Sequence, residues 1–179
     1  YPIMCVTGTN GKSTVTSLIG HILRYNKINA VVCGNIGIPL SRVLLQKEKY
    51  SIAVVEASSF QLEYISEFHP ETAVWLNFSC DHLDHHLSMD AYFNAKLNIF
   101  KNQGIGNWAV IHYKEIDRVR DYINAKIVTY SDLNTNYNSF PSIYPADIEA
   151  AFAAASIYGI SPKDISSAIE SFEPLPHRL

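Results

Sequence analysis

The chain has 179 residues, 47% of them hydrophobic and 17% charged, with a formal net charge of −3. That size favours one domain with a single sizeable core, and that balance excludes a disordered chain. The charge gives no bulk reason to expect nucleic acid or an acidic membrane surface as a partner, and no apolar run approaches the ~20 residues of a membrane span.

The chain opens on Tyr1-Pro2 without an initiator Met and passes straight into an apolar run at residues 3–6, which reads as a buried strand. Thr7-Gly8-Thr9-Asn10-Gly11-Lys12-Ser13-Thr14 follows at once. Glycines there let successive N–H groups converge on a phosphate, and a helix start favours the same anion. Lys12 is positioned to reach phosphates and the Ser13 hydroxyl to hold Mg²⁺, although the loop is two residues shorter than the common phosphate-loop pattern. An ordinary Gly-rich turn is the alternative. The helix itself is predicted from about 12 to 25, because Val15, Leu18, Ile19, Ile22 and Leu23 form one apolar stripe.

Further strands are predicted at 30–33, 52–55, 73–76, 108–111 and 127–130. The second leads into Gly34-Asn35-Ile36-Gly37-Ile38-Pro39, readable either as a plain turn or as a substrate contact. The third ends in Glu56-Ala57-Ser58-Ser59-Phe60-Gln61-Leu62-Glu63. A carboxylate at that strand tip suits Mg²⁺, a hard cation that prefers oxygen; a solvated strand end is the alternative reading of Glu56.

After the fourth strand comes Asp81-His82-Leu83-Asp84-His85-His86. Adjacent histidines without an i, i+4 pair do not set tetrahedral zinc geometry, so one histidine beside carboxylates at a Mg²⁺ site is the more economical reading. His85 and His86 are expected at the surface. The segment 88–100 has a helical stripe of Met89, Tyr92, Phe93, Leu97 and Phe100, and Lys96 falls inside it. Such a lysine either snorkels to solvent or loses hydration, and the second outcome lowers its pKa and makes the amine nucleophilic.

A shorter helix is expected around Ile116, Val119 and Ile123, and a loop over 131–144. An Ala-rich helix carries Ile148, Ala151, Phe152 and Ala155, and a last one starts at Ser161-Pro162. Strands alternating with helices imply an α/β fold, a mostly parallel sheet flanked by helices. The cysteines Cys5, Cys33 and Cys80 are scattered and lack metal-type spacing, which points to reduced thiols and a cytoplasmic location. Both chain ends read as excision points within a longer polypeptide.

Taken together, these motifs resemble the Mur ligases. Thr7–Thr14 resembles their short phosphate loop, and Ala95-Lys96-Leu97 the segment whose lysine is carbamylated. Leu175-Pro176-His177-Arg178 resembles their hinge. Gly34–Pro39, Glu56–Glu63 and Asp81–Asp84 are similar to the subtype that adds D-glutamate to UDP-N-acetylmuramoyl-L-alanine. The match runs from residue 2 to about 100 and again from about 150 to the end.

The resemblance implies a central ATP-binding, P-loop-like domain, with a UDP-binding N-terminal domain and a C-terminal domain lying outside this chain. It implies ATP and Mg²⁺ as cofactors, an acyl phosphate intermediate, and a monomer acting on small molecules. Gly8 to Thr14 and Arg178 would contact the nucleotide. Lys12, Glu56, His82 and Lys96 would serve catalysis. Ser13 and Glu56 would hold a first Mg²⁺; His82, Glu56 and carbamylated Lys96 would hold a second. Asn35, Ser58 and His82 would face the muramoyl substrate.

One stretch departs from the pattern. Where the family has His-Asn-x-x-Asn before the Ala-rich helix, at the nucleotide base, this chain has Ile143-Tyr144-Pro145-Ala146-Asp147. A nucleotide-binding module without ligase activity, another Mur-type ligase, and a different phosphate-loop enzyme such as a kinase therefore stand as alternatives.

Overall fold

The computed structural model describes residues 2–46, 49–81, 85–132 and 143–173. Six strands form one sheet: β1 (Ile3–Thr7), β2 (Ala30–Gly34), β3 (Ile52–Glu56), β4 (Thr72–Trp75), β5 (Trp108–His112) and β6 (Lys126–Tyr130). Their order is β2-β3-β1-β4-β5-β6, and every neighbouring pair is parallel. The six expected strands are all present, shifted by a residue at some ends.

Every residue of β1, β3 and β4 is buried, as the unbroken apolar runs require of strands covered on both faces. On one face lie α1 (Lys12–Tyr25), α6 (Pro145–Ser156) and α7 (Pro162–Glu170). The α1 stripe of Val15, Leu18, Ile19, Ile22 and Leu23 is fully buried there, each side chain contributing about 1.5–3 kcal/mol relative to exposure. The opposite face is covered by α2 (Leu40–Leu45), α3 (Ser59–Glu63), α4 (Met89–Leu97) and α5 (Ile116–Val119).

Two of these, α2 and α3, were not anticipated from the sequence, being too short to show a period. Segment 88–100 is α4 followed by a 3₁₀ turn at Asn98–Phe100. The helix expected through Ile123 is instead α5 between two 3₁₀ turns, and Ile123 itself is extended. Of the loop at 131–144, residues 133–142 lie outside the described residues. Among the described residues no helix is long and apolar enough to cross a membrane, and Cys5, Cys33 and Cys80 are free thiols.

Strand register positions the site. Gly34 and Val6 both pair with Glu56, and Thr7 pairs with Trp75. The carboxyl ends of β2, β3, β1 and β4 therefore finish side by side, where the strand order switches from β2 and β3 on one side of β1 to β4 and beyond on the other. In open parallel sheets, that crevice is where ligands bind.

Candidate phosphate and metal site

The loop between β1 and α1 is built for close approach. A Cβ on Gly8 would meet Leu76 Cβ at 2.9 Å, so only glycine lets this turn lie against the end of β4. Gly11, the N-cap of α1, has φ 82°, a left-handed conformation natural to glycine. No side chain caps α1 and its first turn carries no acidic residue. A helix start leaves its first N–H groups without intrahelical carbonyls, so this 14-residue helix presents a positive end to an anion.

The loop is clamped from β4. Asn77 Oδ1 accepts from Thr9 N at 3.1 Å and Asn10 N at 2.9 Å, while Asn77 Nδ2 donates to Asn10 O at 3.2 Å. Thr9 Oγ1 accepts from Ser79 N at 3.0 Å and lies 3.3 Å from the Tyr92 hydroxyl. The sequence reading gave Asn77 and Tyr92 no such role. Nothing local marks them, since the partners are some 70 to 83 positions away.

A cavity of ≈ 330 Å³ opens beside the loop, lined by Thr9, Asn10, Gly11, Lys12, Ser13, Asn35, Glu56, Ser58, Ser59, Phe60 and Lys96. Nine of these are expected site residues, and Ser59 and Phe60 belong to the same run as Glu56 and Ser58; Thr14 follows on α1, half-buried and outside the lining. Lys12 Nζ donates to Gly8 O at 3.1 Å and Thr9 O at 2.8 Å, folding back over its own loop.

Glu56 is 1% exposed. Its Oε1 accepts from Asn35 Nδ2 at 2.9 Å, whereas its buried Oε2 has no hydrogen-bond partner among the described residues. A buried carboxylate oxygen left without donor or cation is costly, and a divalent cation in the adjoining cavity relieves that cost. With the Ser13 hydroxyl on the same cavity, the donors are oxygens, which suits Mg²⁺. The residues present fit that ion. Asn35, anticipated as a substrate contact, is thus also the group that orients Glu56. Ser58 accepts from Gln61 N at 3.3 Å as the N-cap of α3, and Gln61 Oε1 accepts in return from Ser58 N at 2.9 Å.

Lys96 is 1% exposed and does not snorkel. Its Nζ donates to Gly8 O at 2.8 Å and stands 4.8 Å from the centre of the Tyr92 ring. Desolvation first, then the positive charge of Lys12, lowers its pKa to about 7, with Asp81 opposing. A substantial fraction of the amine is then neutral near pH 7 and able to add CO₂; the resulting carbamate would be an anionic oxygen ligand.

His82 and Arg178 lie outside the described residues. His85 is exposed as expected, but His86 is 3% exposed and hydrogen-bonded to Ser59 Oγ at 2.9 Å, which corrects its assignment to the surface. Burial is favourable because Phe60 and Tyr92 pack on its ring at 5.6 and 5.2 Å. On the other side of the loop, the Asp147 carboxylate fills the space a Cβ at Gly11 would occupy. Burial raises its pKa to about 6.

An all-parallel sheet with an uncapped helix start at its topological switch point defines an α/β domain of the P-loop kind. The model of the Mur ligase middle domain matches residues 6–169, and this chain belongs to that family. It is 40% identical to the UDP-N-acetylmuramoylalanine–D-glutamate ligase of Lawsonia intracellularis, covering 99% of this chain and 41% of that one. It is 36% identical to the ligase of the same name from Nitratidesulfovibrio vulgaris, covering 99% and 42%. The chain thus spans about two fifths of the length of these relatives.

Solved structures share the fold. A UDP-N-acetylmuramoyl-L-alanyl-D-glutamate–2,6-diaminopimelate ligase superposes with a TM-score of 0.78 at 23% identity, over 99% of this chain and 47% of that one. MurF ligase from Thermotoga maritima, in complex with ADP, gives 0.75 at 19% identity, over 99% and 49%.

Proposed function

We propose that this chain is the ATP-binding central domain of a cytoplasmic ligase that adds D-glutamate to UDP-N-acetylmuramoyl-L-alanine, its remaining substrate-binding walls lying in domains beyond this chain. The observation that carries this reading is Glu56, whose buried second oxygen has no hydrogen-bond partner among the described residues and which lines one cavity with Lys12, Ser13 and Lys96. Kinship with D-glutamate ligases over nearly the whole chain supports the substrate.

In this reading the start of α1 and Lys12 bind the triphosphate, and Lys12 leaves its carbonyl partners to do so. Ser13 and Glu56 would hold Mg²⁺, which would supply neutralisation of phosphate charge while the γ-phosphoryl group passes from ATP to the substrate carboxylate. The amine of D-glutamate then attacks the acyl phosphate, and phosphate leaves from the tetrahedral intermediate. The chain's own contribution is positioning and electrostatic complementarity. Lys96, as carbamate, and His82 would serve a second cation with Glu56. Arg178 would reach the nucleotide, and Asn35, Ser58 and His82 the muramoyl side.

The test is ADP release by the full-length protein. Release that requires both UDP-N-acetylmuramoyl-L-alanine and D-glutamate, and disappears in Lys12→Ala, supports the reading. Release with a different amino acid, or none, overturns the substrate assignment. Labelling with ¹³CO₂ should give a carbamate resonance that is absent from Lys96→Arg. The isolated domain should show little or no ligation.

A second reading, a nucleotide-binding module without ligase activity, draws on Asp147, a carboxylate pressed against the phosphate loop. Tight ATP binding by the full-length protein without turnover of any muramoyl substrate would favour it.

A further inference from the structure

We propose that Glu63, His85 and His86 form a binding site for a borderline transition-metal ion such as Zn²⁺, sharing the Ser59–Phe60 wall of the nucleotide cavity but none of its proposed ligands, and independent of the ligase reading. One donor atom from each of the three lies within 4.8 Å of the other two. In the sequence, two adjacent histidines alone gave no metal geometry. The third donor comes from another element: Glu63 ends α3, and His85 Nε2 stands 3.3 Å from its Oε2.

The helix supplies support as well as a ligand. Ser59 and Glu63 are four residues apart and so share a face of α3. The Ser59 hydroxyl holds His86 Nε2 at 2.9 Å, while Glu63 meets His85. A histidine ligand ordinarily has its other ring nitrogen fixed by such a partner, which sets ring orientation. Phe60 is wedged against both imidazoles, edge-on to His85 at 4.5 Å and stacked with His86 at 5.6 Å. The two imidazoles are thereby held edge to face, at 86° to one another with their centroids 4.9 Å apart.

Two imidazole nitrogens and one carboxylate match the three-ligand zinc pattern that leaves a fourth position for water. Donors about 2.0–2.2 Å from such an ion stand somewhat closer together than these do. The required closure is small, and it falls to His85 and Glu63, whose side chains are 46% and 36% exposed. Nitrogen donors select against Mg²⁺, which prefers oxygen and keeps much of its water. An ion here would tie α3, whose first residue lines the cavity, to the chain leading into α4, which carries Lys96.

The experiment titrates tag-free protein with Co²⁺, without nucleotide and with Mg²⁺ in excess, following visible d–d absorption, then displaces Co²⁺ with Zn²⁺. One equivalent should bind, and His85→Ala and Glu63→Gln should each weaken binding about tenfold or more. Glu56→Gln, which strips the carboxylate from the nucleotide cavity, should leave it unchanged. Zn²⁺ should raise the melting temperature of the parent and not of His85→Ala. His86→Ala is a poorer probe because the ring is buried. Absence of saturable binding, affinity unchanged from the parent in the Glu63 and His85 variants, or loss in Glu56→Gln instead overturns the site and leaves only a His85–Glu63 hydrogen bond.

Discussion

Two carboxylates flank the phosphate loop, and burial has opposite consequences for them. Glu56 is 1% exposed and Asp147 is 7% exposed. Glu56 receives a hydrogen bond from Asn35 and lines a cavity with Lys12 and Lys96 on its wall. Asp147 sits in the first turn of α6 against Gly11, and desolvation raises its pKa to about 6. Desolvation drives Asp147 toward its neutral form, whereas in the proposed reading Glu56 would meet a cation. The same loop is therefore bordered by one acid that would hold a metal and one that disfavours a neighbouring anion when ionised.

The largest expected effect separates the two at once. Glu56→Gln keeps the shape and removes the charge, so Mg²⁺-dependent ADP release by the full-length protein should fall on the order of 10²–10³-fold. Asp147→Asn should not lower it. Equal losses in both variants would erase the distinction.

Next comes Asp147 itself. Its folded value of about 6 lies above the ordinary 3.8, so the native state holds its proton more tightly than the unfolded chain does. The stability this confers is fully present below about pH 4 and is lost as pH rises through 6, a difference of roughly 3 kcal/mol. Asp147→Asn should therefore unfold at higher urea than the parent at pH 7.5, with the gap narrowing as pH falls below 6 and closing below about pH 4. Nucleotide affinity should rise in the variant above pH 6, where the parent carboxylate is charged. Parallel stability curves for the two proteins would remove Asp147 from the argument.

A third variant tests what makes Glu56 different. Asn35→Ala takes away the donor to Oε1 and leaves the carboxylate in place. Mg²⁺ affinity, read by titration in the presence of a non-hydrolysable ATP analogue, should weaken about 10–100-fold, the usual size for a group that orients a metal ligand. An unchanged affinity would mean that the cavity, not Asn35, defines the Glu56 environment.

The sequence exposed one half of this comparison better than the other. The strands, α1 and the stripe containing Lys96 follow from period and apolar run length, and those elements carry Lys12, Ser13, Glu56 and Lys96 into one crevice. The link from Asn35 to Glu56 spans 21 positions, and the Asn77 clamp on the loop spans 67 to 68. Register and topology create such contacts, and no local pattern encodes them. Asp147 was legible as a departure from a family motif, but its meeting with Gly11 depends on α6 packing beside α1. His86 was misjudged because its cover, Phe60, rides on a helix too short to show a period. That helix did have a readable start, since Ser58 and Gln61 spell a capping box.

The smallest expected effect concerns that start and the helix bearing Asp147. The N-cap of α3, Ser58, has its hydroxyl bonded to Gln61, whereas the N-cap of α6, Tyr144, makes no side-chain cap and is 80% exposed. Ser58→Ala should cost about 1 kcal/mol of stability, the usual loss for a serine cap. Because Ser58 also lines the cavity, two outcomes can be told apart. If capping is its whole role, the melting temperature drops while KM for the muramoyl substrate stays put. A rise in KM with little change in melting temperature would instead make the hydroxyl a substrate contact, and the wall beyond Glu56 would then be recognising substrate as well as holding a metal.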